Sequence, residues 1–302
     1  MNTRKTKIIA IVGSTASGKS DLAVYLAKKI EGEIISADSR QVYKTLNIGT
    51  AKISKRQMKG IKHHLLDIAN PKNIFTGADF KKHGEKALEK IIQNGNVPIV
   101  CGGTGFYLHL LLNKVEIPEI EPNWVLRKKL EKKTTEELFQ ILKKNNPKRA
   151  ENIDSKNPRR LIRAIEIASI TPKTPDITES SNLWKPDFNI LWLGIKPNKT
   201  ILKNRIEKRI KQMFQDGLSE EVRKMRKNRL TWKRIEELGF EYKYPALYLR
   251  KKISKKEMVQ KMILENNQYA KRQMTWFNKY APKTRWLKTK KEALNLAKKF
   301  LS

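Results

Sequence analysis

The sequence predicts an α/β fold: a parallel sheet flanked by helices, with an inserted all-helical subdomain. Three observations carry this. Short apolar runs alternate with helical periodicity through the first third of the 302 residues. A glycine-rich octapeptide stands between the first such run and the first helical pattern. A block of purely helical segments then separates the third apolar run from a fourth. Alternation of this kind argues for parallel strands joined by crossover helices.

The elements follow in order. Residues 7–12 are an apolar run ending at a glycine, hence a buried strand. Residues 20–29 show helical spacing through Leu22, Tyr25 and Leu26. Residues 33–36 form a second short strand. Residues 80–93 are helical, with Phe80, Ala87, Leu88, Ile91 and Ile92 directed inward, and Asn94-Gly95-Asn96 ends them. Residues 97–101 are a third strand, followed by Gly102-Gly103-Thr104-Gly105 and an apolar helix over 106–112. From there the pattern changes to helical segments over 125–133, 135–144 and 159–170. A fourth buried strand follows at 188–195, FNILWLGI. Helices are then expected over 199–214, 219–227, 255–279 and 290–301. The expected division is a core of 1–113 and 189–302 with an insertion of 114–188.

Composition narrows the function. There are 65 Lys+Arg against 30 Asp+Glu, a formal net charge of +35. Such a field attracts polyanions and speeds their capture, although lysines that only solvate helix faces give the same count. No apolar run approaches the ~20 residues that span a bilayer. The run at 8–12 is shorter than the ~7–15 residues of a signal-peptide core. Cys101 is the one cysteine, which excludes an internal disulfide and a cysteine-based zinc site. The expectation is a cytoplasmic monomer with no membrane partner.

The strongest motif is GSTASGKS, comprising Gly13, Ser14, Thr15, Ala16, Ser17, Gly18, Lys19 and Ser20. It fits the P-loop pattern and stands between a strand and a helix, where that pattern works. Gly13 and Gly18 let backbone N–H groups turn toward an anion. Lys19 adds a point charge, and the helix presents its positive end. The Ser20 hydroxyl can ligate Mg²⁺. The motif alone would indicate ATP or GTP. Enzymes that hydrolyse those nucleotides usually carry an aspartate at the end of a later strand, yet the strand at 97–101 ends in Cys101-Gly102-Gly103. The carboxylate falls instead at Asp38, just beyond the strand at 33–36. In open α/β sheets that edge holds the ligand, so Asp38 either faces the phosphates or serves as a turn residue.

Other residues have two readings. The adjacent His63 and His64 invite a metal, but neighbours on an extended chain point to opposite faces and no third ligand lies nearby. Arg159 and Arg163 are four apart on a helix that Pro158 opens, beside the apolar stripe Leu161, Ala164, Ile165 and Ala168. That face suits phosphate recognition or an ordinary amphipathic helix. Arg205 and Arg209, also four apart, could both reach a diphosphate.

Taken together these segments resemble the tRNA dimethylallyltransferases. The matching blocks are GSTASGKS at 13–20, ADSRQVYKTLNIGTAK at 37–52, HHLLDI at 63–68, GGTGFYLHLLL at 102–112, NPRRLIRAIEI at 157–167, RIEKRIKQMF at 205–214 and KRQMTWF at 271–277. They occur in the family's order over nearly the whole chain. The resemblance implies transfer of a dimethylallyl group from its diphosphate to N6 of the adenine 3′ to the anticodon, position 37, with Mg²⁺ and release of pyrophosphate. It implies that Thr15 to Ser20 line the diphosphate, and that Lys19 and Arg209 neutralise the leaving group. It makes Asp38 the acceptor from N6, with Thr104 supporting the base and Asp38. It implies tRNA contacts from Asp38, Ser39, Arg40, Gln41, Thr104, Arg127, Arg159, Arg160, Leu161, Ile162 and Arg163, and from 239–243. Two departures stand out. Ser14 replaces the family's usual proline, and 239–242 reads Gly-Phe-Glu-Tyr where Gly-Tyr is usual. Three rivals remain at this point: an enzyme that prenylates free adenine nucleotides, a small-molecule P-loop kinase, and a non-catalytic RNA-binding module.

Overall fold

The computed structural model describes residues 5–112, 120–170 and 188–302. The chain divides into two compact units, Met1–Asn113 with Asp187–Ser302, and Lys114–Pro186. The expected edge of the insertion at 113–114 falls outside the described residues, and the one expected at 188–189 falls where the described chain resumes in a strand at Phe188.

The first unit opens with β1 (Thr6–Gly13), α1 (Lys19–Lys29), β2 (Gly32–Ser36), α2 (Lys55–Met58), β3 (His63–His64), α3 (Gly77–Gln93), β4 (Val97–Gly102) and α4 (Gly105–Leu112). The second unit contributes α5 (Trp124–Leu130), α6 (Thr135–Asn145), α7 (Pro147–Glu151) and α8 (Pro158–Ile170). The first unit resumes with β5 (Phe188–Ile195), α9 (Lys199–Gln215), α10 (Leu218–Lys227), α11 (Trp232–Glu237), α12 (Phe240–Leu249), α13 (Lys255–Tyr280), β6 (Arg285–Trp286) and α14 (Lys290–Leu301).

The strands form one parallel sheet in the order β3-β2-β4-β1-β5-β6. β1 lies inside it, and Ile8 through Val12 are wholly buried. One face of β1, through Ile9 and Ile11, packs on Leu22 and Leu26 of α1 and on Ala293 and Ala297 of α14. A second cluster is built from α9 to α13 and takes in Val42, Tyr43 and Leu46 from the segment after β2. Burial at this scale fixes that segment and the C-terminal helices as one body. Glu221 adds directional bonds: its carboxylate accepts from the N–H groups of Asn47, Ile48 and Gly49 at 2.7, 2.9 and 3.0 Å.

The helical unit has its own core, with Leu130, Leu138, Leu142, Ala150, Leu161, Ile162, Ala164 and Ile165 buried together. Inside it Glu166 is fully buried. Arg127 donates to it twice, at 2.9 and 2.7 Å, the Asn123 N–H donates at 2.6 Å, and Arg163 forms a further ion pair with it.

The structure corrects several expectations. Ile92 is 41% exposed and not part of the core. The helix expected over 125–133 ends at Leu130, because Thr134 caps a new helix by bonding with Glu137. The run 188–195 is only half-buried at its start and is not the final strand, since β6 pairs outside it. Residues 239–243 belong to the start of α12, with Tyr242 buried and its hydroxyl donating to Glu221. The elements β3 and β6 are two residues each, too short for periodicity to reveal.

At the amino end of β2, Glu33 is buried under four donors. His64 Nε2 is 2.5 Å away, Asn96 donates at 2.8 Å, Asn94 at 3.2 Å, and Lys62 pairs at 3.3 Å. Burial alone would raise this carboxyl, but the bonds from His64, Asn96, Asn94 and Lys62 outweigh it and hold the group down at about 2. A depressed folded value stabilises the fold above the unfolded carboxylate range and loses that contribution as pH falls toward 2. Glu33→Gln should therefore cost about 2 kcal/mol at pH 6–7. The gap to the native protein should narrow between pH 5 and pH 2.5 in thermal or urea melts. A gap independent of pH would remove the ionised form from the fold's support.

Candidate functional site

Parallel strands bring their carboxyl ends to one edge, and Gly13, Ser36 and Gly102 end their strands there. Three loops therefore converge. The P-loop of residues 13–20 curls with Ser17 N–H donating to Ser14 O at 3.2 Å. Gly18 sits in the left-handed region at φ 95°, where glycine is at ease, and no side chain caps α1. The first N–H groups of that helix are thus left for an anion. Lys19 Nζ bonds back to Ser14 O at 3.2 Å. The buried hydroxyls of Ser14 and Ser17 have no hydrogen-bond partner.

After β2, Asp38 Oδ1 accepts from the N–H groups of Arg40 and Gln41 at 2.8 and 3.3 Å. This is a turn-forming aspartate, and Asp38 also lines the pocket bounded by Lys19, Ser20, Ser36, Gln41, His63 and Cys101. The turn reading of Asp38 holds, and the turn stands beside Lys19 at the sheet edge. After β4, Thr104 Oγ1 accepts from Ser39 N–H at 3.1 Å, which ties the second loop to the third. Gly102 must be glycine: a Cβ there would stand 2.1 Å from Ala37 O.

Helices α9, α12 and α13 complete the site. Arg205 donates to Ser17 O at 3.1 Å. Arg209 donates to Asn266 Oδ1 at 2.8 Å, while its buried Nε has no partner. Gln273 reaches between loops, accepting from Thr15 N–H and donating to Gly103 O, each at 2.8 Å. Tyr269 bonds with Thr104, and burial, with Asp38 and Glu241 nearby, pushes its phenol up to about 12. Sequence reasoning gave Gln273, Asn266 and Tyr269 no role. Their signal was present, since Asn266 and Gln273 are buried polar residues on the same α13 stripe as Met262, Ala270 and Phe277. A buried polar residue in such a stripe requires a partner.

The electrostatics favour an anion. Burial lowers the pKa of Lys19, and Arg209 adds to the effect, while Cys101 and Asp38 oppose it. Arg209 is likewise lowered by burial, opposed by Glu241 and Asp38. Two partly desolvated cations close enough to repel each other make a strong anion site, since a bound anion relieves both costs. Cys101 is inert: burial first, then Asp38, push its thiol up to about 12 despite the nearby Lys19.

The histidine pair divides as extended neighbours must. His64 turns to Glu33, whereas His63 lines the P-loop pocket and bonds Ile61 O at 2.8 Å. Among the described residues no group of three His, Cys, Asp or Glu could hold a metal. No helix there is long and apolar enough to cross a membrane.

In the helical unit, Arg159 and Arg160 are exposed at the start of α8. Leu161 and Ile162 turn into the unit's own core. Arg127 and Arg163 are bound to Glu166, and Arg163 also donates to Ile120 O at 2.9 Å.

Comparison with known proteins places these features in a family. A profile described as IPP transferase matches residues 41–280. A tRNA dimethylallyltransferase of Acetivibrio thermocellus is 41% identical over 277 residues, 90% of this chain and 88% of that protein. The crystal structure of a full-length tRNA isopentenylpyrophosphate transferase from Bacillus halodurans matches with a TM-score of 0.73 at 32% identity, covering 98% of this chain and 97% of that one. A eukaryotic dimethylallyltransferase, solved acting on tRNA, matches with a TM-score of 0.73 at 30% identity, covering 90% of this chain and 70% of its own.

Removing the Gln273 bridge frees the P-loop from the loop after β4. Gln273→Ala should weaken pyrophosphate binding up to about thirtyfold, since two hydrogen bonds of about 1 kcal/mol each are lost. Titration calorimetry measures this directly, and unchanged affinity would show that the loop holds its shape without the bridge.

Proposed function

The chain belongs to the IPP transferase family, and from that premise we propose that it transfers a dimethylallyl group from dimethylallyl diphosphate to N6 of the adenine 3′ to the anticodon of a tRNA. One observation carries this reading at the level of the site: a carboxylate, Asp38, and an anion-binding pair, Lys19 and Arg209, meet at one sheet edge within electrostatic reach of each other.

The P-loop N–H groups and Lys19 hold the diphosphate, with Arg209 on its other side. The amine lone pair of N6 attacks C1 of the dimethylallyl group. The C1–O bond breaks, and its electrons leave on pyrophosphate. Lys19 and Arg209 stabilise the charge that accumulates there, which is the largest contribution such a site can make. An exocyclic adenine amine is a poor nucleophile because its lone pair is delocalised into the ring. Asp38 accepts a hydrogen bond from N6 and then its proton, which orients and enriches that lone pair. Thr104 fixes the backbone of Ser39, and so the Asp38 turn.

Mg²⁺ fits this arrangement through hard oxygen donors: Ser20 offers a hydroxyl at the start of α1, and the diphosphate supplies the remaining anionic oxygens. Bound there, Mg²⁺ adds positive charge to the diphosphate and makes it a better leaving group. Ser20 is the chain's one direct ligand in this reading.

The target base must leave the stack of the anticodon loop to reach Asp38, which costs a few kcal/mol and favours a single-stranded loop. Arg40 and Gln41 flank the base, and Arg159 and Arg160 bind phosphates. Arg127 and Arg163, tied to Glu166, hold the helix that presents them. Such a reaction takes place where tRNA is found, in the cytoplasm.

Asp38→Ala should lower transfer at least a hundredfold while tRNA affinity stays within about threefold. A parallel loss of affinity in a filter-binding assay would make Asp38 an RNA anchor instead. The affinity for tRNA should also fall at least tenfold between 50 and 200 mM salt, following counterion release from several phosphates. A flat response would make the +35 charge irrelevant to RNA.

A further inference from the structure

The helical unit carries an aromatic side chain that neither its own core nor the transfer chemistry uses. Its first helix, α5, turns Leu126 and Leu130 into the unit's core. On the outer side stand Trp124, 50% exposed, and Val125, 68% exposed. The largest apolar side chain of a seven-residue helix is thus left against water. Scattered exposed apolar residues are ordinary; the way this one is held sets it apart.

The Arg127 guanidinium lies over the Trp124 ring, 5.1 Å from its centre. That arginine is itself fixed, donating to Glu166 through Nε and Nη2 at 2.9 and 2.7 Å. The same carboxylate accepts from the N–H of Asn123, the residue before Trp124, at 2.6 Å. Asn123 Oδ1 in turn accepts from the Leu126 N–H at 3.0 Å. The backbone beside the tryptophan and the cation against its ring are therefore tied to one fully buried acid. A ring backed by a fixed cation and half-exposed offers its free surface to a flat partner. The surroundings are cationic. Helix α5 holds Arg127, Lys128 and Lys129 and no acid, and Lys128 lies one turn beyond Trp124 on the same side. Arg127 meets Arg163 at Glu166, and Arg159 stands one turn before Arg163 on α8, exposed together with Arg160.

We propose that Trp124 is a stacking platform for an unpaired base of the RNA, with Lys128 and the exposed arginines of α8 on the flanking phosphates. This deepens the proposed function and rests on its assignment of tRNA as the substrate. Every base presents a flat π-face, so an aromatic ring can take one without reading its identity. Cations alone bind the phosphates of paired and unpaired RNA alike. A duplex keeps its bases stacked on one another, whereas a loop can splay a base onto a protein ring. An exposed ring among cations therefore selects a loop over a stem, which the +35 charge by itself does not do. The Glu166 network gives this surface its precision, because the ring is held in place before the RNA arrives and little freedom is lost on binding.

The test is filter binding of the full-length native protein and of Trp124→Ala, Trp124→Leu and Trp124→Phe to two RNAs, an unmodified anticodon stem-loop and a duplex of equal length, across a salt series. The Ala and Leu variants should lose about tenfold in affinity for the stem-loop and keep their affinity for the duplex, while Phe, which retains a ring, stays within about threefold of native. The salt slope should be the same in all four proteins, since no phosphate contact is lost. Should Trp124→Ala fail to melt cooperatively, Trp124→Leu keeps an apolar side chain and makes the same comparison. Equal stem-loop affinity in native protein and variants would overturn the proposal while leaving the tRNA reading intact. So would an equal loss on both RNAs with a shallower salt slope, which would make Trp124 a support for the cationic helix. A native dimer that Trp124→Leu splits in sedimentation velocity would make this face a contact between copies, and would also overturn it. Absence of stem-loop binding by the native protein would overturn the tRNA reading, and the inference with it.

Discussion

The two hydrogen bonds of the Gln273 side-chain amide, one accepted from the Thr15 N–H and one donated to the Gly103 carbonyl, join three distant parts of the chain into one site. The P-loop lies near residue 15, the turn after β4 near residue 103, and α13 some 170 positions further on. Each could hold its own local shape. The pairing of Val12 with Gly102 holds the strands before these two turns side by side, and the amide ties the turns themselves together. The geometry is tight: a Cβ on Gly103 would fall 2.3 Å from Gln273 Nε2 and would displace the amide that makes these bonds. The converging loops set where Asp38 sits relative to Lys19, and that separation sets what the site can do.

Charge is distributed with the same economy. Where a buried carboxylate is saturated with donors, as at Glu33, Glu166 and Glu221, it fastens backbone or helices in place. Where buried polar atoms lack partners, as at Arg209 Nε and the hydroxyls of Ser14 and Ser17, they collect around the expected diphosphate. Desolvated cations that repel each other weaken the fold and strengthen anion binding, a common exchange at functional sites. The +35 field works at longer range, raising the local concentration of a polyanion before any specific contact forms.

Much of this was legible in the sequence, because the signals are local. The P-loop needs only eight consecutive residues and a flanking strand and helix. Asp38 could be placed at the ligand edge because the strand before it is short and apolar. The strands β3 and β6 were invisible because two residues carry no period, and α12 was missed where Gly239 and Pro245 punctuate it. The arginines of α8 illustrate the harder failure. Spacing put Arg159 and Arg163 on one face, but the partner that claims Arg163 is Glu166, and Arg127 reaches the same carboxylate from 39 residues away. Gln273 and Asn266 were likewise hidden, since a polar residue in a helical stripe reveals its partner only once the chain has folded. Tertiary pairing at such separations lies beyond any periodicity argument.

The most direct measurement of the central claim is the destination of the prenyl group. Purified protein with Mg²⁺ and labelled dimethylallyl diphosphate would be offered an unmodified anticodon stem-loop with adenine 3′ of the anticodon, in competition with AMP. Label entering only the RNA, with one pyrophosphate released per transfer, is the expected result. Label entering AMP, or no transfer accompanied by ATP consumption, would contradict the substrate assignment and leave the P-loop fold without this function.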